Sequence, residues 1–187
     1  MKQIVPLLAL ALGACAATPE PKEPPLEGAL SLSSGPCLGF CPVYRMRLDP
    51  KDRYRLDAGE HTIEPGKSTG AIPVGSFRRA LEALDRYDFA SLDQDYTAET
   101  PENCPERITG TPTVTISRVS DDFRKLVTYD TGCLGFPEKD RLDQLTSTLR
   151  DIYRVDALIA VGEEPRKRPE VNETIGSNIE GGDTPTE

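Results

Sequence analysis

The chain has 187 residues, with 22 Lys and Arg against 31 Asp and Glu, one His, five Cys and no Trp, which bounds it to one modest domain of net charge −9. That balance argues against a basic nucleic-acid surface, and a single His excludes both a two-His zinc finger and HExxH hydrolysis. Eight of the 17 prolines fall in the first 28 and last 26 residues, so residues 29–161 remain to bury a core.

At the N-terminus, Met1-Lys2-Gln3 is a short cationic start and Ile4 to Leu12 an apolar stretch, far shorter than the roughly 20 residues that cross a bilayer as a helix. Residues 1–14 therefore read as a secretory leader. The run Leu12-Gly13-Ala14-Cys15 resembles the bacterial lipobox, in which small residues beside the cleaved bond precede a Cys that becomes the acylated first residue. That resemblance implies a diacylglyceryl thioether and usually a third, palmitate-like chain on Cys15. Two or three chains, at about 0.8 kcal/mol per buried methylene, make a stable membrane anchor. Ala16 rather than Asp follows, which under the enteric sorting rule implies the outer membrane, facing the periplasm. Residues 15–28 read as the lipidated Cys and a Pro/Glu tether that holds the domain off the membrane.

Within the folded part, Leu30 and Leu32 alternate with Ser31 and Ser33, and Tyr44, Met46 and Leu48 with Arg45 and Arg47, the period of half-buried strands. Asp49-Pro50-Lys51-Asp52 is turn chemistry before a returning strand at Tyr54 and Leu56. From Glu60 to Pro73 the chain reads as irregular, with a short strand at Thr62 and Ile63. Ser76 is placed to cap a helix carrying Phe77, Ala80, Leu81 and Leu84 on one stripe and ending near Tyr87. Asp88 to Thr111 reads as a long acidic loop. Alternation at Val114 and Ile116, then at Val127 and Tyr129, predicts a second hairpin turning at Ser120-Asp121-Asp122. Pro137 opens a second helix with Glu138 and Asp140 at its positive end and Leu142, Leu145, Leu149 and Ile152 along one face. Ala157 to Val161 reads as a last short strand, and 162–187 as a disordered tail. The order predicts an α+β domain: an antiparallel sheet of two hairpins with two helices on one face.

With Cys15 set aside, Cys37, Cys41, Cys104 and Cys133 are an even set in a chain bound for an oxidising compartment, and two disulfides are the default. Three pairings are open. Cys104 and Cys133 flank the same hairpin at its open end, which favours joining them and leaves Cys37 with Cys41 across a tight Gly-containing loop. The spacing Cys37-Leu38-Gly39-Phe40-Cys41-Pro42 also resembles the CxxxCP motif of the Sco-type copper chaperones, in which two thiolates and a distant His hold copper. In that family the motif opens a helix, whereas Val43 to Leu48 alternates as a strand, and His61 is the sole imidazole.

The segment Gly35-Pro36-Cys37-Leu38-Gly39-Phe40-Cys41-Pro42-Val43-Tyr44 resembles the GPCxGxCPxY signature of the bacterial family catalogued as domain of unknown function 6438, whose members are commonly predicted to be lipoproteins or secreted. The resemblance implies domain limits near 29–156 and places the signature on Gly35, Pro36, Cys37, Gly39, Cys41, Pro42 and Tyr44. It implies no activity. Gly66-Lys67-Ser68 lacks the earlier Gly of a phosphate loop and reads as a turn. Asp93-Gln94-Asp95 begins like a calcium loop, but Ala98 and Cys104 stand where Gly and Glu are needed. The usual nucleophile arrangements for acyl transfer are missing. The expectation is therefore a non-catalytic envelope lipoprotein without cofactor or bound metal. Its partners would be the membrane, through its lipid, and an envelope protein or cell-wall component, with no nucleic acid. Thiol or copper handling at Cys37 and Cys41 is the alternative.

Overall fold

The structure, a computed structural model, describes residues 28–98 and 100–159. The leader over 1–14, Cys15 with most of its tether, and the tail 162–187 lie outside the described residues. No helix among the described residues is long and apolar enough to cross a membrane.

The chain folds as a mixed α+β domain. Strands β1 (Ala29–Ser34), β2 (Tyr44–Leu48), β3 (Arg53–Ala58) and β4 (Gly66–Ala71) precede helix α1 (Ser76–Arg86) and a 3₁₀ turn at Phe89–Ser91. Then come β5 (Asp95–Tyr96), β6 (Glu106–Arg107), β7 (Thr113–Val119), β8 (Arg124–Asp130), β9 (Cys133–Leu134), α2 (Lys139–Tyr153) and α3 (Val155–Ile159). The main sheet has seven strands in the order β4-β3-β2-β1-β7-β8-β5, and β6 and β9 make a separate ribbon. Leu30, Leu32, Met46, Leu48, Leu56, Val114, Ile116 and Val127 point to one face of the sheet. There they join Phe77, Ala80, Leu84, Leu142, Leu145 and Leu149 from the helices in one buried cluster.

Both hairpins and both main helices lie where their periodicities put them, but the sheet is larger than two hairpins. β1 bridges them, pairing with β2 on one side and β7 on the other. β4 occupies ground expected to be irregular and absorbs Gly66-Lys67-Ser68, which is strand and not turn. Its six residues are all exposed, so no alternation betrays it. It forms because β3 offers a free hydrogen-bonding edge, and Gly70 lies opposite Tyr54, whose ring covers the place a side chain would take. The acidic stretch after Asp88 holds β5, which pairs in parallel with β8, so the sheet is not purely antiparallel. A third helix, α3, replaces the strand expected from Ala157. The expected strand at Thr62 and Ile63 reduces to one bridge residue at Thr62 and an Ile63 amide donating to the Ile159 carbonyl at 3.2 Å.

Ser76 does not cap α1. The cap position is Gly75, with a left-handed φ of 82°. The capping acceptor comes from the β2–β3 turn. The Asp52 carboxylate accepts the Gly75 amide and the Phe77 amide, each at 2.7 Å. One buried carboxylate thus ties the first hairpin to the first turn of the helix packed against it.

Candidate functional site

Strand alternation that buries one face of the sheet exposes the other. Along β2 and β3 the outward positions are Arg45, Arg47, Arg53, Arg55 and Asp57, while on β1, β7 and β8 they are Ser31, Ser33, Thr115, Ser117, Leu126 and Thr128. Cross-strand register lines them up in rows. One row runs Thr69, Arg55, Arg47, Ser31, Ser117, Leu126, and the next Lys67, Asp57, Arg45, Ser33, Thr115, Thr128. The middle of the face is a strip of small hydroxyls, tied by a Ser31 Oγ–Ser117 Oγ contact of 2.5 Å, with arginines rising on one side and Arg124 on the other. No described element covers it.

The electrostatics of this face run against the net charge. Arg53 pairs with Asp49 at 3.1 Å, but Arg45, Arg47, Arg55, Lys67 and Arg124 make no ion pair among the described residues. Arg47 and Arg55 stand directly opposite each other, an arrangement of like charges that destabilises an antiparallel pair. A negative total thus coexists with a cationic patch on one face. Net charge is a sum over the chain, and the strand period sorts cations onto one side.

The signature loop walls one end of this face. Gly35, Val43 and Tyr44 line the groove that also holds Ser33, Arg45, Asp57, Thr113 and Thr115. Its conformation follows from backbone bonds on both sides. The Gly35 amide donates to the Thr113 carbonyl and the Leu38 amide to the Gly110 carbonyl, both at 2.9 Å, while the Val43 amide donates to the Glu60 carbonyl at 2.9 Å. Cys37 and Cys41 are joined, with Cα atoms 5.7 Å apart, and Gly39 between them takes a φ of 145° that favours glycine. Pro36 is exposed and Pro42 half-buried. Tyr44 is the inward residue of the signature. Arg150 of α2 donates to its hydroxyl at 3.2 Å, and burial pushes the phenol up although Arg150 pulls it back. Tyr44 therefore fastens the signature to α2 and presents nothing to solvent.

A second staple joins the stretch before β6 to β9. Cys104 and Cys133 are joined with Cα atoms 5.0 Å apart, and the chain between them is pinned through Asp130, which is not among the site residues expected from the sequence. Its buried carboxylate accepts from Thr111 Oγ1 at 2.6 Å, the Gly132 amide at 2.9 Å and Arg107 Nε at 2.8 Å. Burial pushes the carboxyl up, but these three donors more than offset it and hold the group below its ordinary value. Gly132 is required there, because a side chain would meet the Ile108 carbonyl oxygen at 2.2 Å. An Asp closing a strand before Thr-Gly was the signal available.

His61 is brought to the signature loop, its ring 4.4 Å from that of Phe40. No group of three or more His, Cys, Asp or Glu among the described residues could hold a metal ion, the acidic stretch near Asp93 included.

A family profile described as domain of unknown function (DUF6438) matches residues 29–153. The chain belongs to that family. No curated protein matches it. In this DUF6438 domain the matched span ends at the last residue of α2, whose side chain is fully buried, so it takes in the whole sheet and both main helices.

Proposed function

We propose that this chain is a non-catalytic binding or scaffolding module of the cell envelope, held to the outer membrane by an acylated Cys15 and engaging an envelope partner with the open face of its sheet. The observation that carries this reading is the uncovered strip of hydroxyls flanked by five cations without ion pairs among the described residues. Unpaired guanidinium groups gathered on one face of an acidic chain give no stability to the fold, whereas they suit recognition of a complementary surface. Gly28 lines the same groove as Arg47, Arg53 and Arg55, so the tether leaves from the rim of the face. Thirteen residues at about 3.4 Å each reach some 45 Å, which keeps the face near the membrane that the lipid would occupy.

The test is photo-crosslinking in the native envelope from a photoreactive residue at Thr115, on the open face, and from one at Glu82, exposed on α1. The reading predicts discrete adducts from Thr115 and none from Glu82. Adducts from Glu82 alone would contradict it.

A second reading, thiol or copper handling, is favoured by one observation: His61 packs on the ring that lies between Cys37 and Cys41. In the disulfide form those sulfurs are not ligands. Intact mass with and without reductant, together with copper content, separates the two. Free Cys37 and Cys41 with stoichiometric copper would support this second reading and two intact bridges without metal the first.

A further inference from the structure

Resting on the reading above, we infer that the ligand of the open face is a phosphate-bearing polymer chain, and that the opposed pair Arg47 and Arg55 is the centre of its site.

The pair is the starting point. Arg47 and Arg55 share one cross-strand position, with Ser31 beyond Arg47 and Thr69 beyond Arg55 in the same row. Residues so placed have Cβ atoms about 5 Å apart, and two guanidinium groups at that spacing repel unless an anion sits between them. A carboxylate offers one edge and satisfies one guanidinium fork. A phosphate within a chain keeps two unbridged oxygens on a tetrahedral centre, so each can turn to a different guanidinium while its other lone pairs accept from hydroxyl donors. Ser31, Ser117 and Thr69 supply hydroxyls in that row, and the Ser31–Ser117 pair, sharing one hydrogen bond, still has a second O–H to donate.

The remaining cations argue for a chain of phosphates. Arg45 is two residues from Arg47 along β2 and Lys67 two residues from Thr69 along β4, each a step of about 7 Å, while Arg124 stands across the hydroxyl strip. Phosphates recurring along one extended backbone would meet these in turn.

Other anions fit less well. A bilayer surface is met by cations beside exposed apolar side chains. Here Leu126 is the only large exposed apolar residue on the face among those described, and the hydroxyls form a floor below the arginines. Nucleic acid asks for rings on which bases stack. No ring stands at the outward positions of β1, β2, β3, β7 or β8 among the described residues, and Tyr54, between Arg53 and Arg55, packs on the core side of the sheet over Gly70. The acidic end of the chain itself, with Glu170, Glu173, Glu180, Asp183 and Glu187, offers carboxylates only.

The experiment uses the full chain in neutral detergent micelles, with linear inorganic polyphosphate as the probe, read by calorimetry over a series of salt concentrations. Expected are saturable binding that weakens linearly in log K against log salt, a loss of about tenfold for Arg47→Gln or Arg55→Gln and about a hundredfold for the pair, and no change for Arg86→Gln on α1. Thermal melting of the arginine variants should stay at or above that of the parent, since each removes a repulsion. Equal weakening by Arg86→Gln would overturn the site, and equal affinity for polyglutamate would overturn the preference for phosphate. Competition of equal strength by phosphatidylglycerol added to the micelles would reassign the face to lipid. An oligodeoxynucleotide binding as tightly would reassign it to nucleic acid. Binding that appears only after Glu170, Glu173, Glu180, Asp183 and Glu187 are changed to Gln or Asn would make the tail the occupant and sink the proposal. If polyphosphate fails while Thr115 still crosslinks in the envelope, this ligand class falls and the binding-module reading stands. If both fail, both fall.

Discussion

Two buried carboxylates decide how the loops of this domain are held. Asp52 reaches from a turn to take two amides at the start of α1, and hydrogen bonds from backbone amides to a charged acceptor are among the stronger ones in folded chains. Asp52→Ala should cost about 2 kcal/mol, seen as a lower urea midpoint without a change in slope. Asp130 sets a pH dependence. Its carboxyl is held below the ordinary value of 3.8, so the stability it contributes is complete above that value and is lost as pH falls through its lower folded value. Unfolding midpoints followed from pH 6 downward should therefore decline below about pH 4. Asp130→Asn should flatten that decline, and an unchanged profile would mean that Asp130 is not the group responsible. Neither role was legible in the sequence. An isolated Asp carries no period, and its partners lie 23 and 25 residues away for Asp52, while for Asp130 the Arg107 and Thr111 donors lie 23 and 19 residues back.

At the level of elements, legibility followed the contrast between inward and outward residues. β2 alternates without exception and its sequence marks each of its five residues, whereas β4 has no buried position and carries no pattern. β4 depends on its edge pairing and on Tyr54 closing over Gly70. Tyr54→Ala should leave the rest of the sheet intact while amides of β4 lose protection in hydrogen exchange. The two staples differ in what they constrain. On the chain-entropy account, the five-residue ring of Cys37 and Cys41 is worth about 2 kcal/mol, and the thirty-residue ring of Cys104 and Cys133 nearer 4 kcal/mol. Replacing both members of each pair by Ser and comparing denaturant midpoints should show the larger loss for the second pair. An equal or reversed order would mean that the signature loop's bridge does more for stability than its span allows. The cysteine pairing was readable because hairpin geometry left few options, and the seven-strand width was not, because β4 has no buried position and β5 is only two residues long.

Across the molecule, the useful number is not the net charge but its distribution. Residues 28–159 carry 17 basic against 21 acidic side chains, net −4, yet the open face gathers Arg45, Arg47, Arg53, Arg55, Lys67 and Arg124 against Asp49 and Asp57. The ingredients were visible as Arg-Met-Arg and Arg-Tyr-Arg, each a pair of arginines at strand spacing. What the sequence could not supply was the register that puts Arg47 opposite Arg55 and a row of hydroxyls beside them, because pairing is decided by the hydrophobic set on the other face. The signature segment marks the domain, and the residues of it that line a groove are Gly35, Val43 and Tyr44, while Cys37 and Cys41 are joined to each other. The central claim, that this face is covered by a partner where the protein works, is tested most directly by modifying arginines with phenylglyoxal in the intact envelope and in the purified chain, then mapping adducts by mass spectrometry. Arg45, Arg47 and Arg55 should be protected in the envelope and reactive once purified, with Arg86 reactive in both. Equal reactivity of all four in the envelope would contradict the account.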